Sequence, residues 1–225
     1  DSVLQIAAHE QVFGLDRLYK TCSIAAEIFY DLRVQRIIAR PFLGENKEEF
    51  YRTKNRKDFL IPPPIDTLCD RVIKSGKKCF GVGKISDIFG HRGISESVSG
   101  MSDDKLFDEM LDIILKANAG DLIFANFVEF DTLYGHRRDL SGYARALESF
   151  DKKLPKLFSI LNKDDFLVIT ADHGNDPSFA GTDHTREQVP VLIKNHNVIN
   201  KCYGLINFSD IGSLIENFLR LEVHE

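Results

Sequence analysis

The sixteen residues "TADHGNDPSFAGTDHT", Thr170 to Thr185, place Asp172, His173, Asp176, Asp183 and His184 directly after the apolar run "FLVI". A second polar group follows the run "LIFANFVEF": Asp131, then "TLYG", then His136, Arg137, Arg138 and Asp139. Carboxylate and imidazole together are ligands for zinc, manganese or iron. Asp131, His136, Asp172, His173 and His184 therefore form a candidate set of two carboxylates and three imidazoles. A single tetrahedral site needs fewer. Five donors suit two ions that share an incomplete shell, about 3.5–4 Å apart, as in two-metal phosphoryl chemistry. Gly135 is expected to turn the backbone so that His136 comes back beside Asp131. Asp172 and His173 are adjacent and would diverge on a strand, but a bend at the strand end lets both address one ion or two close ones. His9, His91, His196 and His224 lie outside this pattern and read as ordinary hydrogen-bonded histidines.

Elements of two kinds must position these residues. Apolar residues at spacings of three and four, Leu15, Leu18, Tyr19, Cys22, Ala25, Ala26 and Phe29, predict a helix through "LDRLYKTCSIAAEIFYDL". "VQRIIA" reads as a strand, and "ENKEEFYRTKNRKDF" as a long loop or hairpin. The prolines of "IPPPI" continue neither a helix nor a central strand, so a domain boundary is expected there. It separates residues 1–61 from residues 62–225. Beyond it, elements alternate. "DTLCDRVIKSG" is a helix stopped by Gly76, "CFGVG" a strand, and "SDDKLFDEMLDIILKANAG" a helix with Ser102 as N-cap. "DLIFANFVEF" is a strand, and "SGYARALESFDKKLPKLFSIL" a helix kinked near Pro155. "DFLVITA" and "VPVLIK" are strands, and "SDIGSLIENFLRL" is a last helix. Such alternation predicts an α/β fold with a mainly parallel sheet flanked by helices. Ligands of such sheets bind beyond the carboxyl ends of the strands, which is where both polar groups fall.

Composition narrows the function classes. The chain has 225 residues, 43% hydrophobic and 28% charged, with a net charge of −5. That balance argues against a nucleic-acid surface, and no apolar run reaches the ~20 residues of a membrane span. The opening "DSVLQIAAHE" lacks the basic flank and apolar block of a signal peptide. Cys22, Cys69, Cys79 and Cys202 are scattered without a C-x-x-C pair and read as buried thiols of a reducing compartment, so the protein is expected in the cytoplasm.

The segments "NFVEFDTLYGHRRD" and "TADHGNDPSFAGTDHTREQVPVLI" resemble the two signature segments of the phosphopentomutases, within the alkaline phosphatase superfamily. "GVGKISDIF" and "DSVLQIAAHE" are also similar, so the likeness runs through nearly the whole chain. "GTDHTRE" after "ADHGNDP" is specific to that family, whereas "DHG" alone is shared widely. The resemblance implies an alkaline phosphatase-like core at residues 62–225, with residues 1–61 as part of a smaller α/β cap that binds substrate. It implies two divalent cations, usually manganese: Asp131, His136 and His184 on one, Asp172 and His173 on the other. It implies a pentose phosphate as substrate, held by residues matching Asp1, Arg40, Arg56 and Lys84. A guanidinium fork suits a phosphate dianion. One of Arg137 and Arg138 is expected to neutralise site carboxylates or phosphate, the other to pair on the surface.

The implied reaction interconverts ribose (or deoxyribose) 1-phosphate and 5-phosphate through a phosphothreonine and a bisphosphate, a step of nucleoside metabolism. The family's threonine and a further metal-binding aspartate match no residue here. Both are expected upstream of residue 1, so the chain alone is expected to be inactive. Two other readings remain open: another phosphatase or phosphomutase of the superfamily, and a non-catalytic relative that binds sugar phosphate.

Overall fold

The computed structural model describes residues 3–29, 32, 34, 36–60, 62–195 and 202–221. The chain divides into two compact units, Asp1–Asp66 with Asp87–Arg92, and Thr67–Ser86 with Gly93–Glu225. The break falls a few residues past the proline run.

In the first unit, β1 (Val3–His9) and β2 (Arg36–Leu43) pair in parallel, from Val3 opposite Arg36 to His9 opposite Phe42. A π-helical turn, Glu10–Gly14, and helix α1 (Leu15–Phe29) connect them. The basic stretch after β2 is a pair of short strands, β3 (Tyr51–Arg52) and β4 (Lys57–Leu60), both antiparallel to β2. Leu18 and Cys22 of α1 meet Ile37 and Ala39 of β2 in a buried core, with Leu4, Ile6 and Phe59 against it. The three-and-four spacing of α1 and the alternation of β1 therefore serve one interface.

The second unit opens with α2 (Leu68–Lys74). Thr67 and Asp70 form a reciprocal capping box at its start. Gly76 follows its end with φ 78°, the left-handed stop expected of that glycine. Strand β5 (Cys79–Val82) lies in the middle of a parallel sheet between β6 (Glu96–Val98) and β7 (Leu122–Ala125). The short helix α3 (Ile85–Ile88) follows β5. Helices α4 (Asp103–Lys116) and α5 (Leu140–Ile160) pack Leu106, Phe107, Met110, Leu111 and Leu157 onto Val82. Ser102 is the N-cap residue of α4 but makes no side-chain cap hydrogen bond. Asp103 reaches the backbone N–H groups of Val128 and Glu129 instead, at 3.0 and 2.9 Å. Pro155 sits inside α5, which continues past it to Ile160.

Strands β8 (Leu167–Ile169) and β9 (Leu192–Lys194) pair antiparallel with each other, as a separate sheet among the described residues. Helix α6 (Phe208–Leu219) closes the described chain. The fold is mixed α/β with flanking helices: β1–β2, β5–β6 and β5–β7 pair in parallel, and β3 and β4 on β2, like β8–β9, pair antiparallel. Cys22, Cys69 and Cys79 are the buried free thiols expected, whereas Cys202, expected to be buried, is exposed in the stretch before α6. Among the described residues no helix is long and apolar enough to cross a membrane.

Candidate metal centre

The strand expected through "DLIFANFVEF" stops at Ala125, and a π-helical turn, Phe130–Gly135, takes over before His136. Its wide ring closes with the His136 N–H donating to the Asp131 carbonyl at 2.9 Å. Single π turns are rare and concentrate at functional sites. Here the turn carries His136 back over Asp131, with Nε2 3.2 Å from Asp131 Oδ2. Gly135 does this differently from the expectation. It is not among the left-handed residues; Arg138 is, at φ 55°. Gly135 is small because a Cβ there would lie 2.5 Å from the Asn175 amide nitrogen.

Asp172 and His173 follow β8 and lie on a bend of the chain, as expected at the strand end. The loop then folds on itself. Gly174 and Thr185 form an isolated antiparallel bridge, Thr185 N–H donating to Gly174 C=O at 3.0 Å. That bridge stacks His184 on His173, ring centroids 3.6 Å apart, while His136 and His184 stack at 4.8 Å. His184 Nε2 stands 3.3 Å from Asp131 Oδ1, and His173 Nε2 stands 3.6 Å from Asp172 Oδ1. Ligand atoms of Asp131, His173 and His184 all lie within 4.8 Å of one another. All five residues thus fall in one chain of contacts. The tightest trio draws on both of the groups expected from the sequence.

The donor chemistry fits a cation. His136 Nδ1 lies 2.5 Å from the Thr182 carbonyl, and His173 Nδ1 lies 3.2 Å from the Gly174 carbonyl. A carbonyl can only accept, so both Nδ1 atoms carry the proton. In the neutral imidazole, Nε2 is then a lone pair, and those of His136 and His173 face carboxylate oxygens. Acceptor facing acceptor needs a proton or a metal between them. The hydrogen bond on the far nitrogen is the arrangement that orients metal-binding histidines. Burial, and then the neighbouring His173, hold His184 below the usual histidine range, which favours the neutral, ligating form.

The substrate candidates are divided between the two units along the chain. Lys84 is exposed just past the carboxyl end of β5, after Gly83. A Cβ on Gly83 would meet the Asn126 carbonyl at 2.1 Å, so only glycine lets the strand end approach there. In the first unit, Arg40 donates from Nε to Gln5 Oε1 at 2.9 Å. Burial, then the charges of Arg56 and Arg52, lower its pKa, so three guanidiniums share one region. Arg56 is forked onto Asp58 at 2.7 Å through both nitrogens. Asp1 lies outside the described residues.

The histidines set aside at the sequence level divide. His9 is structural: its ring bonds the Gly44 carbonyl at 3.0 Å and accepts Val12 N–H at 3.2 Å. His196 and His224 lie outside the described residues. Sequence reading missed Asn175, which is buried and donates to Asp131 Oδ1 at 2.6 Å. Its place three residues after Asp172 in a ligand-rich loop was the only signal. Arg137 is exposed, and Arg138 bonds carbonyls and the Asn175 side chain.

Comparison with known proteins agrees with this chemistry. Residues 77–223 match the model of the Metalloenzyme superfamily. A phosphopentomutase from Chelativorans sp. is 51% identical over 222 residues, 98% of this chain and 54% of that protein. One from Chromohalobacter salexigens is 51% identical over 97% of this chain and 54% of that protein. One from Legionella pneumophila is 48% identical over 98% and 54%. The chain therefore spans about half the length of the curated relatives it matches. A solved structure, the PH0037 protein from Pyrococcus horikoshii, shares the fold with a TM-score of 0.57 at 12% identity, covering 92% of this chain and 65% of that one. With its ligand-type residues gathered beyond the strands and most of its length matched by the family model, the chain belongs to the Metalloenzyme superfamily.

Proposed function

We propose that this chain carries the metal-binding part of a phosphopentomutase, an isomerase that moves a phosphoryl group between the 1- and 5-oxygens of ribose or deoxyribose. One observation carries the reading: Asp131, His173 and His184 present ligand atoms within 4.8 Å of one another, with His136 and Asp172 on their flanks. Support comes also from relatives named phosphopentomutase that match nearly the whole chain at about half identity.

In this reading Asp131, His136 and His184 hold one divalent ion and Asp172 and His173 the other, manganese being the natural occupant of a mixed carboxylate and imidazole set. The ions would neutralise the transferring phosphoryl group and acidify the hydroxyl that receives it. The residues of this chain do the positioning. His136 and His173 hold their Nδ1 protons on carbonyls, so each Nε2 points to the centre. Residues 1–61 act as part of a cap and residues 62–225 as the core. Arg40 and Arg56 of the first unit and Lys84 of the second, with Asp1, bind the sugar phosphate. Arg56 would have to release Asp58 to offer its fork to a phosphate, whereas Arg40 already stands among cations. A threonine that no residue here matches carries the phosphoryl group, and the protein works in the cytoplasm on free pentose phosphate.

The test is an assay of the protein purified from its source, loaded with Mn²⁺, on ribose 1-phosphate and on an aryl phosphate. Formation of ribose 5-phosphate with little free phosphate is expected. Release of inorganic phosphate from both substrates would make it a phosphatase. Binding of the sugar phosphate without turnover would make it a non-catalytic relative.

A further inference from the structure

We propose that Arg138 is the positioning residue of the metal centre: its guanidinium clips the loop bearing His184 onto the turn bearing Asp131 and, through Asn175, sets the Asp131 carboxylate. The proposal rests on the metal-centre reading for its consequence, but the clip itself rests on contacts alone.

Arg138 adopts φ 55°, a region that side-chain-bearing residues rarely occupy. Such a backbone persists where its surroundings fix it. Here the surroundings are hydrogen bonds. Nε donates to Gly181 C=O at 2.6 Å and Nη2 to Asp183 C=O at 2.6 Å, both at the far end of the loop. Nη1 donates to Asn175 Oδ1 at 2.6 Å and Asp176 C=O at 3.1 Å at the near end, and to Gly135 C=O at 3.0 Å in its own turn. His136 Nδ1 adds the carbonyl of Thr182. The loop thus turns four carbonyls, those of residues 176, 181, 182 and 183, toward one turn of chain. Without a multiple donor among them they would be left to water or to each other. Only arginine carries five N–H donors in a fixed plane; a lysine offers three from one point.

The same group fixes a second choice. A guanidinium cannot accept, so Asn175 must present Oδ1 to Arg138 and Nδ2 to Asp131, whose Oδ1 accepts at 2.6 Å. That anchors one carboxylate oxygen and leaves Oδ2 directed at His136 Nε2, 3.2 Å away. Gly135 completes the arrangement, since a Cβ would occupy the space of the Asn175 amide. Arg138 therefore acts at one remove, its charge absorbed by carbonyls rather than by a carboxylate or a phosphate.

The experiment uses the 225-residue chain with Arg138→Ala, Arg138→Lys, Asn175→Asp and, as control, Arg137→Ala. Mn²⁺ affinity is read by paramagnetic resonance, Co²⁺ geometry by visible absorption, and the metal-free loop by amide hydrogen exchange over residues 174–185. Arg138→Ala should weaken Mn²⁺ binding by about 10–100-fold, the usual cost of losing an outer-sphere partner, and change the Co²⁺ spectrum. Exchange in the metal-free loop should speed up by about tenfold or more. Lysine should not rescue, and Arg137→Ala should match wild type. Asn175→Asp keeps the Arg138 contact but cannot donate to Asp131, so it should weaken Mn²⁺ binding without freeing the loop; it carries the test if Arg138→Ala does not fold. Wild-type affinity, spectrum and exchange in Arg138→Ala would overturn the proposal. Wild-type chain that binds neither ion, yet loses loop protection on Arg138→Ala, would refute the metal-centre reading and leave the clip standing.

Discussion

In the first unit, Asp58 lies between two guanidiniums, Arg56 forked on it at 2.7 Å and Arg36 at 3.6 Å. In the second unit, Asp131 accepts from the neutral Asn175 amide at 2.6 Å and is otherwise flanked by the Nε2 atoms of His136 and His184, at 3.2 and 3.3 Å. One carboxylate has its counter-charges built in. The other has imidazole nitrogens whose far sides are tied to the backbone or crowded by a stacked ring. The first arrangement is complete as it stands and adds little, since exposed pairs contribute about 0–1 kcal/mol. The second gathers acceptor groups that a bound cation would satisfy. Complete neutralisation marks a stabilising surface, whereas a concentration of lone pairs marks a binding site.

The largest effects should come from the two cores, and they sharpen the contrast. Phe107→Ala in the second unit and Leu18→Ala in the first should each cost about 2–5 kcal/mol, read by denaturant unfolding. Phe107 touches Phe127 and Phe150, and Phe150 touches Phe130 at the start of the ligand-bearing turn. Phe107→Ala should therefore also lower Mn²⁺ affinity, while Leu18→Ala should leave it unchanged. Equal losses of affinity from both would break the distinction.

Next is the carboxylate itself. Asp131→Ala should lower Mn²⁺ affinity by more than the about 100-fold ceiling of outer-sphere changes, measured by titration calorimetry. Asp58→Ala should leave it alone. A wild-type binding isotherm from Asp131→Ala would remove the centre from the turn.

A smaller effect is a pH dependence. Burial raises the pKa of Asp103 from 3.8 to about 6, against the two backbone N–H groups that pull it down. The folded state then holds its proton over a range where the unfolded chain has lost it. This contribution to stability is full below pH 3.8 and is lost as pH rises through about 6. Asp103→Asn should abolish that fall between those two pH values in thermal melts; a persisting fall would assign it to another group. The smallest effect should be Asp58→Ala on stability, below about 1 kcal/mol in a urea titration, because its partners are solvent-accessible.

Much of the frame was legible in the chain. The apolar spacing of residues 15–29 gives α1, the prolines near residue 62 precede the division between units, and Gly76 ends α2, each through a local rule of period or backbone freedom. Other features were not legible. β1 alternates in burial only because β2 and α1 cover one of its faces, and β8 pairs antiparallel with β9 because pairing partners are chosen by long-range packing. The strand before Asp131 ends at Ala125 and a π turn begins at Phe130, and no residue type signals that turn.

The sequence by itself determined which chemistry could occur: Asp131, His136, Asp172, His173 and His184 are donor types, fixed as soon as the residues are read. Tertiary structure alone decided that they meet, that His136 turns Nε2 toward Asp131, and that Asn175 and Arg138 stand behind them. The reason is that donor identity is covalent, whereas convergence depends on hydrogen bonds between residues about forty positions apart, which no local pattern encodes.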